Sequence, residues 1–187
     1  HNPVGRVWTR EELMKMAEIC LKYDVVIIAD EIHGDLIRKE SVHYPIHTLV
    51  DDDRIIALTA INKSFNVAGL HCTNAIILSE DKRDLFNKAM GMKLPSPFAI
   101  EALIAAYNES ENWLEQVNEY ITGNFIYLKS FLDEHMPFVK FSIPEGTYIG
   151  WMDFSESGFT PKEVHQKIFI DANVVLEDGE MFGTGGE

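Results

Sequence analysis

The chain has 187 residues, a formal net charge of −14, 46% hydrophobic residues and 25% charged ones, a globular composition that excludes disordered and collagen-like classes. That length can bury a sizeable core, as one domain or one and a half. Its 16 cations against 30 carboxylates argue against a nucleic-acid partner, which needs a basic face to neutralise phosphate.

Two cysteines, Cys20 and Cys72, are too few for a disulfide framework. No run reaches the length of a membrane span, and His1 to Arg6 have no secretory pattern. A reducing cytoplasm with no membrane partner is therefore expected. The chain opens without Met and stops at Gly183-Thr184-Gly185-Gly186-Glu187, so it reads as an internal piece of a longer protein.

Thr9-Arg10-Glu11-Glu12 is a capping box ahead of Leu13, Met16, Ala17, Cys20 and Leu21, the spacing of one helical face, and predicts a helix over about residues 10–22. Val25–Ala29 is a continuous apolar run suited to a strand buried on both faces of a parallel sheet. Runs at 55–59 and 74–78 repeat the pattern, and the three together make an α/β core. A helix is predicted over 81–90. Ser96-Pro97 supplies an N-cap and first-turn proline for another through Tyr107. The amphipathic stretch 111–135 follows, with Trp113, Val117, Ile121, Phe125 and Leu132 on its apolar face.

Beyond it, 139–143 and 147–154 read as antiparallel strands around a Pro144-Glu145-Gly146 turn. Thr160-Pro161-Lys162-Glu163 opens a last helix to about Asp171, followed by a strand at 174–176. A domain boundary is placed near 112.

In open α/β sheets ligands bind beyond the carboxyl ends of the strands. Three polar sites meet that condition or nearly so: Asn2-Pro3-Val4-Gly5, Asp30-Glu31-Ile32-His33 and the stretch Asn62-Lys63-Ser64-Phe65-Asn66-Val67-Ala68-Gly69-Leu70. Taken singly, each has an ordinary reading: a generic turn, a helix cap, a solvated lysine. His33, His43 and His47 do not form a metal motif, because Pro45 keeps the last two off a shared helical face. Asp51-Asp52-Asp53 reads as a solvated turn. Trp8, Phe65, Tyr148 and Trp151 are expected in the core, with Trp8 and Tyr148 also candidates to approach a site.

Taken in order, the three motifs resemble the fold-type I pyridoxal-phosphate enzymes of the class I/II aminotransferase superfamily. The resemblance is nearer to the carbon–sulfur β-lyase (cystathionine β-lyase-like) branch. It is carried by His1-Asn2-Pro3-Val4-Gly5-Arg6-Val7-Trp8, by His33 where aminotransferases typically have tyrosine, by Pro144-Glu145-Gly146-Thr147-Tyr148, and by the closing Met181 to Glu187. It implies an α/β fold: residues 1–112 form the later part of a large cofactor domain with a mainly parallel sheet, and 113–187 an incomplete small α/β domain.

The resemblance implies that Lys63 is the catalytic residue. Its amine would join the aldehyde of pyridoxal 5'-phosphate and later take the substrate Cα proton. Asp30 would face the pyridinium nitrogen, and Asn2 and His33 the 3-oxygen. A thiolate leaving group on Cβ, as in cystathionine or cysteine, then gives β-elimination to a thiol, pyruvate and ammonia. Return of the proton to the coenzyme gives transamination, the alternative reading. A non-catalytic aminotransferase-like regulator is a further one. Thr59 is the nearest hydroxyl upstream of Lys63, a departure from the family's usual phosphate contacts. The implied partners are a small amino-acid substrate and a second copy in a homodimer.

Overall fold

The computed structural model describes residues 1–91 and 94–186. The chain forms two compact units, one of His1–Gly123 with Pro144–Ile149 and one of Asn124–Ile143 with Gly150–Glu187.

The first unit opens with helix α1 (Arg10–Lys22), whose Thr9 cap and Glu12 bond each other's backbone as the capping box requires. Strand β1 (Ile27–Asp30) pairs in parallel with β2 (Ile55–Thr59), Asp30 opposite Leu58. Strand β3 (Asn74–Ile77) runs antiparallel to β2. A one-turn helix, α2 (Ile46–Leu49), lies between β1 and β2. Ala17, Ile27, Ile46 and Ile55 are buried together, with Cys20, Ala29 and Val50 packed against them. Each buried isoleucine contributes about 1.5–3 kcal/mol relative to exposure.

Period-2 geometry explains why β1 is not covered on both faces: Ile27 points into this core while Ile28 is 66% exposed. The expected solvated turn at 51–53 is more ordered than its composition implied. Asp52 accepts hydrogen bonds from the Arg54 backbone and guanidinium, which also reaches the Leu21 carbonyl, tying the end of α1 to the start of β2.

After β2 come α3 (Ile61–Ser64) and a 3₁₀ turn (Ala68–Leu70), then β3, α4 (Glu80–Met90), α5 (Pro97–Glu109) and α6 (Glu111–His135). Ser79 and Ser96 cap α4 and α5 through their side chains. None of the helices among the described residues is long and apolar enough to cross a membrane.

Residues 144–149 are not the tight turn predicted from Pro-Glu-Gly. They are held by the first unit: the Arg38 and Thr147 backbones bond Glu145 and Leu36, and Gly146 N donates to Gly5 O at 2.8 Å. Those backbone bonds outcompete a local turn. In the second unit, the paired strands therefore shrink to β4 (Lys140–Phe141) and β5 (Met152–Asp153), antiparallel. Phe125, Leu132, Val139 and Phe141 are buried there. Helix α7 (Pro161–His165) has the predicted capping box and continues as a π-helical turn, Gln166–Asp171. The strand expected at 174–176 is absent among the described residues. Val174 N instead bonds Ile168 O at 3.0 Å, closing the helix end, and Val175 is 85% exposed with no neighbouring strand.

Candidate active site

Asp30 is the last residue of β1, and Lys63 follows the carboxyl end of the adjacent parallel strand β2. Parallel pairing thus brings both to one edge of the sheet, where open α/β sheets bind ligands. The chain turns sharply after β1: Glu31 N bonds Leu58 O, Gly34 N bonds Glu31 O, and Leu36 N bonds His33 O. Glu31 anchors that turn by accepting the Ile46 backbone N–H at 2.9 Å. His33 is thereby presented beside Asp30.

Helix α3 is a single turn. Ile61 and Ser64, three apart, are both buried, so they share a face and leave Asn62 and Lys63 on the others. Lys63 lines an open cavity of about 440 Å³ together with Asn62, Leu36, Trp113, Ile121 and Tyr148. Every residue lining it belongs to the first unit.

Electrostatics tie the candidates together. Burial pushes the His33 imidazole below its ordinary value; the Lys63 cation lowers it further, and Asp30 opposes them. These influences together favour the neutral ring of His33, which feels the charges of both Lys63 and Asp30. Its ring meets Tyr148 edge-on at 5.6 Å. His33 Nδ1 and Asn62 Oδ1 are buried without a hydrogen-bond partner, each a cost of about 1–3 kcal/mol until something pairs it. Two orphaned polar atoms beside a primary amine and a carboxylate fit a polar, aldehyde-bearing heterocycle.

Asn2 sits in the exposed turn closed by Gly5 N to His1 O. Among the described residues its side chain makes no hydrogen bond. Trp8 and Tyr148, 41% and 44% exposed, are not core. The Trp8 ring stands against His1 and the Arg6 guanidinium, and Tyr148 lines the cavity. Phe65 stacks on Trp113 at 5.4 Å.

Sequence reasoning did not assign Trp113, Val117 and Ile121 of α6 to the site, and it named Asn62 within the polar stretch without giving it a role. The four-residue spacing of the α6 trio was visible, but the partner it faces was not. Glu187, the last residue of the closing motif, lies outside the described residues.

The chain belongs to the aminotransferase class I and II family, whose model matches residues 1–187. It is 38% identical to cystathionine beta-lyase PatB of Bacillus subtilis, over 100% of this chain and 50% of that protein. Cystalysin of Treponema denticola, which contains a pyridoxal 5'-phosphate cofactor, superposes with a TM-score of 0.95 at 34% identity, over 100% of this chain and 48% of its own. The PLP-bound C-S lyase of Staphylococcus hominis does so with a TM-score of 0.91 at 39% identity, over 100% and 50%. The chain spans about half the length of the curated relatives it matches.

Proposed function

We propose that the protein, carried in a polypeptide of its relatives' length, is a pyridoxal-phosphate-dependent carbon–sulfur β-lyase acting on cystathionine or cysteine-type amino acids. The products are a thiol, pyruvate and ammonia, with one water consumed. The observation that carries the reading is that Asp30 ends one strand and Lys63 follows the carboxyl end of its parallel neighbour, with Lys63 lining a cavity and His33 packed edge-on against Tyr148 of the cavity wall. The lyase names of relatives at 38% and 39% identity support the choice of reaction.

Bound here, the coenzyme supplies a ring that accepts the electron pair left at the substrate Cα. The protein's part is positional and acid–base. The Lys63 amine holds the coenzyme aldehyde and, once freed by the substrate, moves the Cα proton. The Asp30 carboxylate would hold the ring nitrogen and keep its proton in place by charge. His33, neutral, and Asn2 offer hydrogen bonds to the ring oxygen, and Asn62 Oδ1 is an acceptor still to be used. The same reading makes residues 1–112 the later part of the large cofactor domain and 113–187 part of the small one, in a cytoplasmic homodimer.

The test is made on the full-length protein with pyridoxal phosphate. A coenzyme absorption band that disappears in Lys63→Ala, with pyruvate released from cystathionine, is the expected result. A band with 2-oxo acid formed only when an amino acceptor is added makes it an aminotransferase, as the family name also allows. No band at all overturns both.

A further inference from the structure

The Lys63 turn is too short to hold its own orientation. Single-turn helices are not stable in isolation, because nucleation fixes several dihedrals for one hydrogen bond. Something outside α3 must fix the direction in which Lys63 points. Ile61 and Ser64 do so from the face they share: Ile61 by complete burial, and Ser64, only 1% exposed, through a hydroxyl that has to find a partner or cost about 1–3 kcal/mol.

Serines in helices commonly bond back to the preceding turn. Ser64 does not. Its Oγ donates to Asp35 Oδ2 at 2.8 Å, 29 positions away in sequence. Asp35 follows His33 within the hydrogen-bonded turn that begins at Asp30. Its own carbonyl is gripped by Asn118 Nδ2 of α6 at 2.9 Å. Arg38, buried, reaches the Thr147 carbonyl at 3.1 Å and the Asn118 side-chain oxygen at 3.5 Å. The network thus runs from the turn carrying Lys63, through the turn carrying Asp30 and His33, to the helix and segment that supply Trp113 and Tyr148 to the cavity wall.

We propose that Asp35 and Ser64 are positioning residues: the Ser64–Asp35 hydrogen bond registers the Lys63 turn against the Asp30–His33 turn, so that the amine and the carboxylate face one bound coenzyme. This rests on the reading of Lys63 as the coenzyme-bearing residue. Neither side chain touches reacting atoms. Their effect is on geometry, which catalysis by a pre-oriented amine depends on steeply.

The experiment uses the full-length protein with Ser64→Ala, Asp35→Ala, the double variant and Asp35→Asn. Asp35→Ala keeps the carbonyl that Asn118 holds and removes the bond to Ser64, together with a carboxylate charge felt at Tyr107, a loss that Asp35→Asn shares. The expected result is a fall in kcat of roughly five- to tenfold in each single variant, the size of one ordinary intramolecular hydrogen bond, with KM within about twofold. The double variant is expected to be no worse than either single one, the signature of a shared contact. Asp35→Asn, which keeps an acceptor oxygen, recovers most of the loss. In the coenzyme-free protein, amide hydrogen exchange over residues 61–66 quickens in Ser64→Ala and Asp35→Ala and not in Asp35→Asn. Additive losses in the double variant, unchanged kcat and exchange in Ser64→Ala, or an Asp35→Asn as impaired as Asp35→Ala each overturn the proposal. Absence of a coenzyme band from the unsubstituted protein instead overturns the function reading, and leaves the exchange comparison to judge the contact.

Discussion

Gly5 lies so close to Pro144 that a Cβ at position 5 would overlap the proline's own, and its φ of +71° is one that side-chain-bearing residues rarely adopt. Two motifs far apart in sequence, Asn-Pro-Val-Gly and Pro-Glu-Gly-Thr-Tyr, are therefore halves of one contact. Gly146 N bonds Gly5 O, and Glu145 Oε2 accepts the Val7 backbone N–H at 2.7 Å. Gly5→Ala is expected to lower stability by about 1–2 kcal/mol from the backbone conformation, and more from the overlap. Because Tyr148 follows directly on this contact, the variant should also weaken coenzyme binding. Urea unfolding of the full-length protein measures the first effect and fluorescence titration with pyridoxal phosphate the second. An unchanged unfolding midpoint contradicts the packing argument.

His33 gives a pH dependence with a definite sign. Its folded pKa is depressed, by burial first and then by the Lys63 cation, so the folded state binds fewer protons here than the unfolded chain. Stability contributed by the neutral ring is intact above the unfolded value of about 6.5. It is lost as pH falls from there towards the lower folded value, below which nothing further is lost. His33→Gln cannot titrate and should show a shallower drop in unfolding midpoint between pH 7.5 and pH 5.5. Equal slopes for the two proteins would show that the imidazole is not held neutral.

Much of this was legible beforehand, and what was not has a common cause. Capping boxes at Thr9 and Thr160 and the Ser96-Pro97 cap placed helices to within a residue or two, because those signals are local. Strand direction is not local: nothing in Asn74–Ile77 says that it runs against β2. The missing strand at 174–176 failed for the same reason, since a β-branched run becomes a strand only where a partner lies beside it. In the site, Lys63, Asp30 and His33 stood out because their residue types match a known chemistry at the ends of recognisable strands. Asp35, Asn118 and Trp113 did not, because their roles exist only through contacts across 29 positions or more.

Asp30 should matter through charge rather than shape. Asparagine at 30 keeps the volume and a hydrogen-bonding oxygen but cannot hold a cationic ring nitrogen by charge. The interaction at stake is a hydrogen bond between charged groups, worth about 1.5–3 kcal/mol. Turnover of Asp30→Asn is therefore expected to fall roughly ten- to a hundredfold. The coenzyme band should persist, since Lys63 is untouched. Stopped assays of pyruvate release, read beside the absorption spectrum, separate the two effects; full turnover with asparagine present would remove Asp30 from the ring nitrogen.

Residues 1–187 on their own should not turn over substrate. The sheet leaves Ile28 with most of its surface exposed, and Leu94 and Phe98, which lead into and open α5, are 89% and 82% exposed. Exposed apolar surface of this kind on an α/β unit needs cover from further chain or a partner, and relatives of established length have about twice the residues. Asp30 and His33 sit at an edge of the same sheet, so loss of that cover loosens the turn that aligns them with Lys63. The purified 187-residue chain is expected to bind a hydrophobic dye strongly, to show little coenzyme absorption with pyridoxal phosphate, and to release no pyruvate from cystathionine under conditions where the full-length protein does. Measurable release by the short chain would show that its own residues complete the site unaided.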